Sequence, residues 1–159
     1  MTTRPTIPSP PYQGGCLCGA VRYAISARPV SIHACHCNDC RKLTGVAHLL
    51  MVGTAREAFI TTGTVDRYVK HADSGRTIGL VRCAACGTRL WHEPHSSPNL
   101  IFVASGTLDN NSWAIPTAHI WVDKAPGAVL GEDAAHVAGQ PVTRDVLFDS
   151  FRRIYGDAS

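Results

Sequence analysis

Seven cysteines in three clusters constrain this chain more than any other feature of its sequence. The clusters contain two, three and two thiols in turn: Cys16 and Cys18, then Cys35, Cys37 and Cys40, then Cys83 and Cys86. A C-x-C or C-x-x-C spacing lets two thiolates bind the same metal ion. Because an odd number of cysteines cannot pair completely in disulfides, the count favours metal binding or catalysis.

Ligand count distinguishes two kinds of zinc site. Structural zinc is held by four protein ligands, whereas catalytic zinc has three and keeps one position open. The two pairs together supply four thiolates and the middle cluster supplies three, so no cysteine is left over. The sequence therefore predicts two Zn²⁺ ions per chain, of which the second can be partly lost. Structural zinc is predicted on Cys16, Cys18, Cys83 and Cys86. The open zinc, with the candidate catalytic residues, is predicted on Cys35, Cys37 and Cys40.

Other interpretations of the cysteines stay open at this point. All seven can be buried inert thiols, disulfide partners or, for four of them, iron–sulfur ligands. A different closed site would join the middle cluster to a histidine, either His33 or His36. Neighbours along an extended chain point to opposite faces, so His36 should point away from Cys35 and Cys37.

Composition limits the function classes. The 159 residues fit one domain, and a net charge of +3 without a basic run does not indicate nucleic-acid binding. No apolar stretch approaches the length of a membrane span, and residues 1–11 lack the apolar segment of a signal peptide. We expect a cytoplasmic protein in which thiols stay reduced. Residues 1–13 are predicted to be a disordered or extended lead-in, and residues 14–159 a single zinc-binding β domain.

The secondary structure is predicted to be mostly β, with a C-terminal helix. Short segments rich in β-branched and aromatic residues predict strands at 21–25, 47–52, 58–62, 65–69, 77–82, 88–93, 100–104 and 119–122. Glycines at 53, 63, 75, 87 and 106 mark turns. One helical turn is predicted at 40–44, ending at Gly45, and a helix at 143–155 with Thr143 as its N-cap. Residues 125–140 are predicted to be a loop.

The motifs resemble those of a known family. The residues that carry the resemblance are Gly15, Cys16, Cys18 and Gly19, then Val21 and Tyr23, then Cys35, His36, Cys37, Cys40, Arg41 and Gly45, then Cys83, Cys86, Gly87 and Leu90. The chain is similar, over about residues 14–121, to the glutathione-dependent formaldehyde-activating enzymes, whose family also includes centromere protein V. The resemblance implies an all-β fold, a zinc-stabilised β-tent of small antiparallel sheets. It also implies structural zinc on the two pairs and a second zinc on the middle cluster.

The implied activity is that of a carbon–sulfur lyase that forms or cleaves S-(hydroxymethyl)glutathione. A free thiol is only slightly ionised at neutral pH, whereas a metal-bound thiol is deprotonated. We considered Arg41, Lys42 and Arg82 as partners for glutathione carboxylates. The histidines considered as proton shuttles are His48, His92, His95 and His119. Trp91, Trp113 and Trp121 are interpreted as packing residues. A non-catalytic thiol carrier and a zinc-ribbon-like adaptor are the alternative functions, and no nucleic acid or membrane partner is expected.

Overall fold

Two β-sheets and two helices make up the described part of the chain. The computed structural model describes residues 4–72 and 75–157. Residues 1–3 of the predicted lead-in lie outside the described residues. Within the described ranges the strands and helices are β1 (Tyr12–Gly15), β2 (Arg22–Ile25), β3 (Ser31–Cys35), α1 (Asn38–Thr44), β4 (Leu49–Ala55), β5 (Phe59–Thr62), β6 (Val65–His71), β7 (Thr77–Cys83), β8 (Arg89–Pro94), β9 (Leu100–Ala104), β10 (Ala118–Ile120), β11 (Ala135–Val137) and α2 (Asp145–Tyr155).

The sheets differ in size and in strand direction. The smaller sheet is antiparallel and has the order β1-β2-β5, while the larger has the order β11-β10-β3-β4-β9-β8-β7-β6. Strand β10 runs parallel to both β3 and β11. The predicted mostly-β class with a C-terminal helix is confirmed. The expectation of small antiparallel sheets is wrong for the larger one, because β10 reaches β3 through a long crossover, which produces parallel pairing.

The hydrophobic core lies between the two sheets. Alternation along β4 sends Val52 into this core and Met51 to the opposite face. Tyr23 of the small sheet and Trp91 of the large sheet meet edge to face, with ring centroids 6.4 Å apart. Trp91 and Trp113 are almost completely buried, as their predicted packing role requires.

Helix α1 and the first part of α2 pack on the other face of the large sheet, whereas Phe151 of α2 belongs to the core between the sheets. Helix α1 begins at Asn38 with Cys37 as its N-cap and ends at Gly45, whose φ of 72° provides the predicted left-handed end. Helix α2 ends at Tyr155 as predicted, but its N-cap is Arg144. Thr143 lies one residue earlier than this cap. Its hydroxyl donates to the Asp145 carboxylate at 2.8 Å and accepts a longer bond, 3.4 Å, from the Asp145 amide.

All eight predicted strands are present, displaced at their ends by at most three residues. Three strands were not predicted, namely β1, β3 and β11, and the last lies within the predicted loop 125–140. Gly53 does not mark a turn, because it lies inside β4. A Cβ there would approach Ser31 Oγ to 2.3 Å and the Phe102 ring to 3.0 Å, so close packing explains this glycine.

The described part of the predicted lead-in contacts the domain. Arg4 donates to both carboxylate oxygens of Asp133, at 2.5 and 2.8 Å, and to the carbonyl of Pro116 at 2.8 Å. Tyr12 begins β1 and its ring lies 5.0 Å from that of Trp113. No helix within residues 4–72 and 75–157 is long and apolar enough to span a membrane.

Candidate metal centres

The two cysteine pairs converge at the junction of the two sheets. Cys16 and Cys18 follow β1 of the small sheet, whereas Cys83 ends β7 of the large sheet and Cys86 follows it. All four sulfur atoms lie within 4.8 Å of one another. The Sγ atoms of Cys16 and Cys18 are 3.5 Å apart, and those of Cys18 and Cys83 are 3.9 Å apart. A tetrahedron with zinc–sulfur bonds of 2.3 Å requires sulfur separations of about 3.8 Å. The donor set therefore fits zinc.

Two glycines shape the turns that carry these sulfurs. Gly19 and Gly87 have φ values of 78° and 73°, in the left-handed region that costs glycine little. In each turn the glycine amide donates back to the carbonyl of the first cysteine, Cys16 at 3.1 Å and Cys83 at 3.0 Å. The two turns thus have the same construction although their cysteine spacings differ.

Hydrogen bonds act unequally on the thiols of this group. Against a backbone hydrogen bond that lowers it, bonds shared with the Cys16 and Cys86 thiols raise the pKa of Cys18 to about 11. Against the effect of burial, bonds from Val21 and Cys18 lower the pKa of Cys16. The Val21 amide donates to Cys16 Sγ at 3.2 Å. The Thr88 hydroxyl lies 3.1 Å from Cys86 Sγ, and bonds from Thr88 lower the pKa of Cys86 to about 5. Polar donors around a thiolate are expected where it is to bind a cation.

The three remaining cysteines meet where β3 joins α1. Cys35 ends the strand, Cys37 caps the helix and Cys40 lies in its first turn. Their sulfurs also lie within 4.8 Å of one another. Hydrogen bonds from the Cys35 and Cys40 thiols, together with the Cys40 amide at 3.3 Å, hold the pKa of Cys37 far below its ordinary value. The bond to Cys37 raises the pKa of Cys35 to about 12. One negative charge is thus shared among three sulfurs, and a cation would permit all three to ionise.

Histidines do not complete either group. Among the described residues, the only sets of three or more potential ligand atoms that converge consist of these cysteines. His36 is buried, and its Nε2 lies 3.0 Å from Nδ1 of His119. The seven cysteines are free thiols, so the disulfide interpretation is wrong. Cys18 and Cys86 are exposed, so the interpretation that all seven cysteines are buried inert thiols is wrong.

A cavity of about 390 Å³ lies beside the three-cysteine group only. Cys35, Cys37 and Cys40 all line it, and none of the other four cysteines does. Its volume is within the usual range of ligand sites, about 300–1,000 Å³. Much of its wall is apolar, and four cationic side chains surround this wall: Lys70, Arg76, Lys124 and Arg144. The cavity therefore offers sulfur donors and positive charge to the same ligand.

Arg144 differs from the other cations of the cavity. Lys70 forms an ion pair with Asp39, and Lys124 with Asp123 at 3.3 Å. Within residues 4–72 and 75–157, Arg144 has no acidic partner; its Nε donates to Ser97 Oγ at 3.1 Å. Burial, and then the charge of Arg76, lowers the pKa of Arg144. A largely buried cation without an acidic partner among the described residues favours the binding of an anion.

The cations considered from the sequence lie elsewhere. Arg41, Lys42 and Arg82 do not line the cavity. The Arg41 side chain donates to Asn38, and Arg82 pairs with Asp66 at 3.4 Å. Sequence proximity to cysteines suggested these residues, whereas strand pairing brings the true lining cations from β6, the following hairpin and the start of α2.

Arg89 supplies a further positive charge behind the three-cysteine group. Its Nε and Nη2 atoms are buried and have no hydrogen-bond partner in the described part of the chain. Burial lowers the pKa of Arg89 to about 10, while the charge of Cys40 opposes this shift. Arg89 therefore remains charged at neutral pH, and a negatively charged thiolate centre is the compensation that its surroundings provide.

The cavity wall includes two histidines and one unusual tryptophan. His33 and His92 line the cavity, whereas the other suggested proton shuttles, His48, His95 and His119, do not. Trp121 is a lining residue and not only a packing residue, and its Nε1 donates to Gln140 at 3.3 Å. Its φ of 60° is left-handed, which is strained for a bulky side chain.

Comparison with known proteins identifies the family. A family model described as glutathione-dependent formaldehyde-activating enzyme matches residues 11–124. The chain belongs to this family. The resemblance inferred from the cysteine motifs is thereby confirmed. The other elements of the chain, among them β11 and α2, follow the matched region.

Two proteins illustrate the range of similarity. A Schizosaccharomyces pombe protein described as an uncharacterized lyase is 24% identical over 117 residues, which are 74% of this chain and 82% of that protein. The crystal structure of a Rhodobacter sphaeroides protein aligns with a TM-score of 0.50 and 19% identity, covering 62% of this chain and 88% of that one. The structural likeness supports the fold, and the family membership suggests lyase chemistry related to glutathione and formaldehyde.

Proposed function

We propose that this protein is a zinc-dependent carbon–sulfur lyase or synthase that acts on glutathione, or a related thiol, and an aldehyde such as formaldehyde. The supporting observation is that all three cysteines of the middle cluster line a cavity surrounded by cations. A thiol ligand needs a sulfur-binding centre, and glutathione also carries carboxylates. This cavity provides for both.

The two metal groups have separate roles in this proposal. Cys16, Cys18, Cys83 and Cys86 hold structural zinc that joins the two sheets into a β-tent. Cys35, Cys37 and Cys40 would hold the second zinc, which would supply an open position for a thiolate sulfur and a positive charge able to polarise a carbonyl. Both groups require reduced thiols, in keeping with a cytoplasmic location.

The remaining lining residues bind and orient the substrate. Arg144 attracts a carboxylate, and Lys70 reduces the cost of bringing negative charge beside Cys37. The apolar side chains of Met51 and Phe102 exclude water from the reacting atoms. Ionising a thiol of ordinary pKa contributes only about 2 kcal/mol at neutral pH. Holding the aldehyde beside the sulfur must therefore supply most of the acceleration.

The decisive experiment measures metal content and turnover in the same preparation. We expect about two zinc ions per chain, as the ligand count requires, and adduct formation faster than the reaction of glutathione with formaldehyde alone. If glutathione binds but adduct forms no faster than without protein, the protein is a thiol carrier. If glutathione does not bind, the thiol-substrate proposal is wrong.

A matched pair of variants tests the role of charge. Arg144→Gln removes a lining cation that has no acidic partner in the described part of the chain, so KM for glutathione should rise about tenfold, the loss expected for a charged hydrogen bond. Arg82→Gln removes an exposed charge outside the cavity and should change KM by less than about twofold. Equal effects of the two variants would show that only the overall charge matters.

A further inference from the structure

His92 is one of the residues that line the cavity. It lies on β8, where its partners across the strands are Leu80 of β7 and Phe102 of β9. All three side chains line the cavity, and only 7% of the His92 surface is exposed. An imidazole buried between a leucine and a phenylalanine needs a hydrogen-bond partner from some other source.

No such partner is present among residues 4–72 and 75–157. His92 Nε2 is buried and makes no hydrogen bond, and Nδ1 of His33, which lines the same cavity, also lacks a partner. Buried polar atoms are almost always hydrogen-bonded, so each exception requires an explanation. A ligand that brings a polar atom to this part of the cavity wall would supply the missing bond.

The surroundings of His92 keep its ring neutral. Burial, and after it the charge of Arg89, lowers the pKa of His92 to about 3. A neutral imidazole has one N–H donor and one acceptor nitrogen. Such a ring is a poor proton source but a good hydrogen-bond donor to an oxygen that gains negative charge. The influence of Cys37 on this histidine shows that it lies within electrostatic reach of the three-cysteine group.

We propose that His92 is a catalytic residue whose Nε2–H binds the oxygen of the aldehyde as the carbon–sulfur bond forms. This inference rests on the proposed function. The thiol loses its proton to solvent when it binds. Its sulfur then donates an electron pair to the carbonyl carbon, and the π electrons of the C=O bond move to the oxygen. The oxygen anion, held by Nε2–H, takes a proton from solvent and becomes the hydroxyl of the hydroxymethyl thioether. The lyase direction reverses these steps.

Three variants test this role by steady-state kinetics. His92→Phe fills the site without a donor and should lower kcat about 10²-fold, the usual loss for an oxyanion donor. His92→Gln places an N–H near the position of Nε2 and should recover about tenfold of that loss, or 1.4 kcal/mol. The control, His136→Gln, alters an exposed residue outside the cavity and should keep wild-type kcat. KM for the thiol should change less than about twofold in all three, since His92 bonds to the aldehyde oxygen.

The outcomes separate this inference from the proposed function. An inactive wild-type protein would overturn both. An active wild type with His92→Phe within threefold of its kcat would overturn only the role of His92. If His92→Phe does not fold, nitrogen NMR of the wild-type imidazole decides. Nε2 should show a new hydrogen bond with 2-mercaptoethanol, whose hydroxyl stands in for the adduct oxygen, and none with propanethiol. Identical spectra with the two thiols would overturn the assignment.

Discussion

The four-cysteine group and the three-cysteine group use the same ligand chemistry in different surroundings. The first spans 65 residues between Cys18 and Cys83 and joins two sheets, whereas the second spans one strand end and one short helix. The cavity of about 390 Å³ with cations in its wall is lined by the second group and by no cysteine of the first. Because the thiols of the two groups are alike, the comparison indicates that the side chains around a cysteine group determine its function.

The largest expected effect comes from breaking the four-cysteine group. Cys83→Ala should give insoluble or unfolded protein, because zinc contributes about 10–16 kcal/mol in comparable peptide sites. That exceeds the net stability of a typical domain, about 5–15 kcal/mol. Soluble yield and circular dichroism measure the outcome. A variant with wild-type melting behaviour would show that the sheets hold together without this centre.

Loss of a ligand from the three-cysteine group should abolish turnover and leave the fold intact. Cys37→Ser keeps an oxygen that can accept the capping bond from the Cys40 amide, so α1 and the fold should persist. Zinc content should fall by about one ion per chain, because a ligand is lost, and turnover should fall to the uncatalysed rate. Unfolding of Cys37→Ser would mean that both groups are structural.

As the pH is lowered, the two cysteine groups should release their metal ions one after the other. Protons compete with metal for thiolates, and each group contains thiols of raised and of lowered pKa. The pKa is raised to about 12 for Cys35 and to about 11 for Cys18, whereas it is lowered for Cys37 and, to about 5, for Cys86. The Cys86 thiolate therefore stabilises the folded protein at pH values above the ordinary thiol pKa, and this contribution is lost as pH falls through about 5. We expect the three-cysteine group to release its ion at the higher pH, because it holds the ion with one thiolate fewer than the four-cysteine group. A metal-sensitive dye can follow release, and simultaneous loss of both ions would contradict this order.

The smallest effect concerns Arg89. Its substitution should not lower the thermal stability of the metal-free protein but should weaken zinc binding. Arg89→Met removes an unpaired buried charge, so Tm of the metal-free protein should stay unchanged or rise by about 2 °C. In the metal-loaded protein the open centre should bind zinc about tenfold more weakly, as when an outer-shell partner is lost. Calorimetry and chelator competition measure the two quantities. A fall in Tm of the metal-free protein would show that Arg89 stabilises the fold by packing.

Local patterns predicted the cysteine groups and most strands. The pairs were predictable because ligand number and spacing are properties of the sequence itself. Strand β3 was not, since all five of its residues are buried and show no alternation. Strand β11 is too short to produce a pattern, and it is held by parallel pairing with β10.

The cavity could not be predicted from neighbours in sequence. Lys70 and Arg144 lie far apart along the chain and from the cysteines, and only sheet pairing and the docking of α2 bring them to one wall. His92 was one of several histidines considered, and nothing in the sequence distinguishes it from His95. Its distinction is a buried nitrogen that has no partner among the described residues, which is a property of tertiary structure.

The strained backbone of Trp121 limits how this cavity can be altered. A left-handed conformation of a bulky residue costs of the order of 1–3 kcal/mol, and glycine would relieve it. Trp121→Gly would also delete the indole from the wall. Glycine at position 121 would thus relieve the backbone strain and at the same time remove part of the cavity wall. Laboratory evolution toward bulkier thiols, if selected first for heat tolerance, would be drawn to this position and would widen the cavity as a by-product.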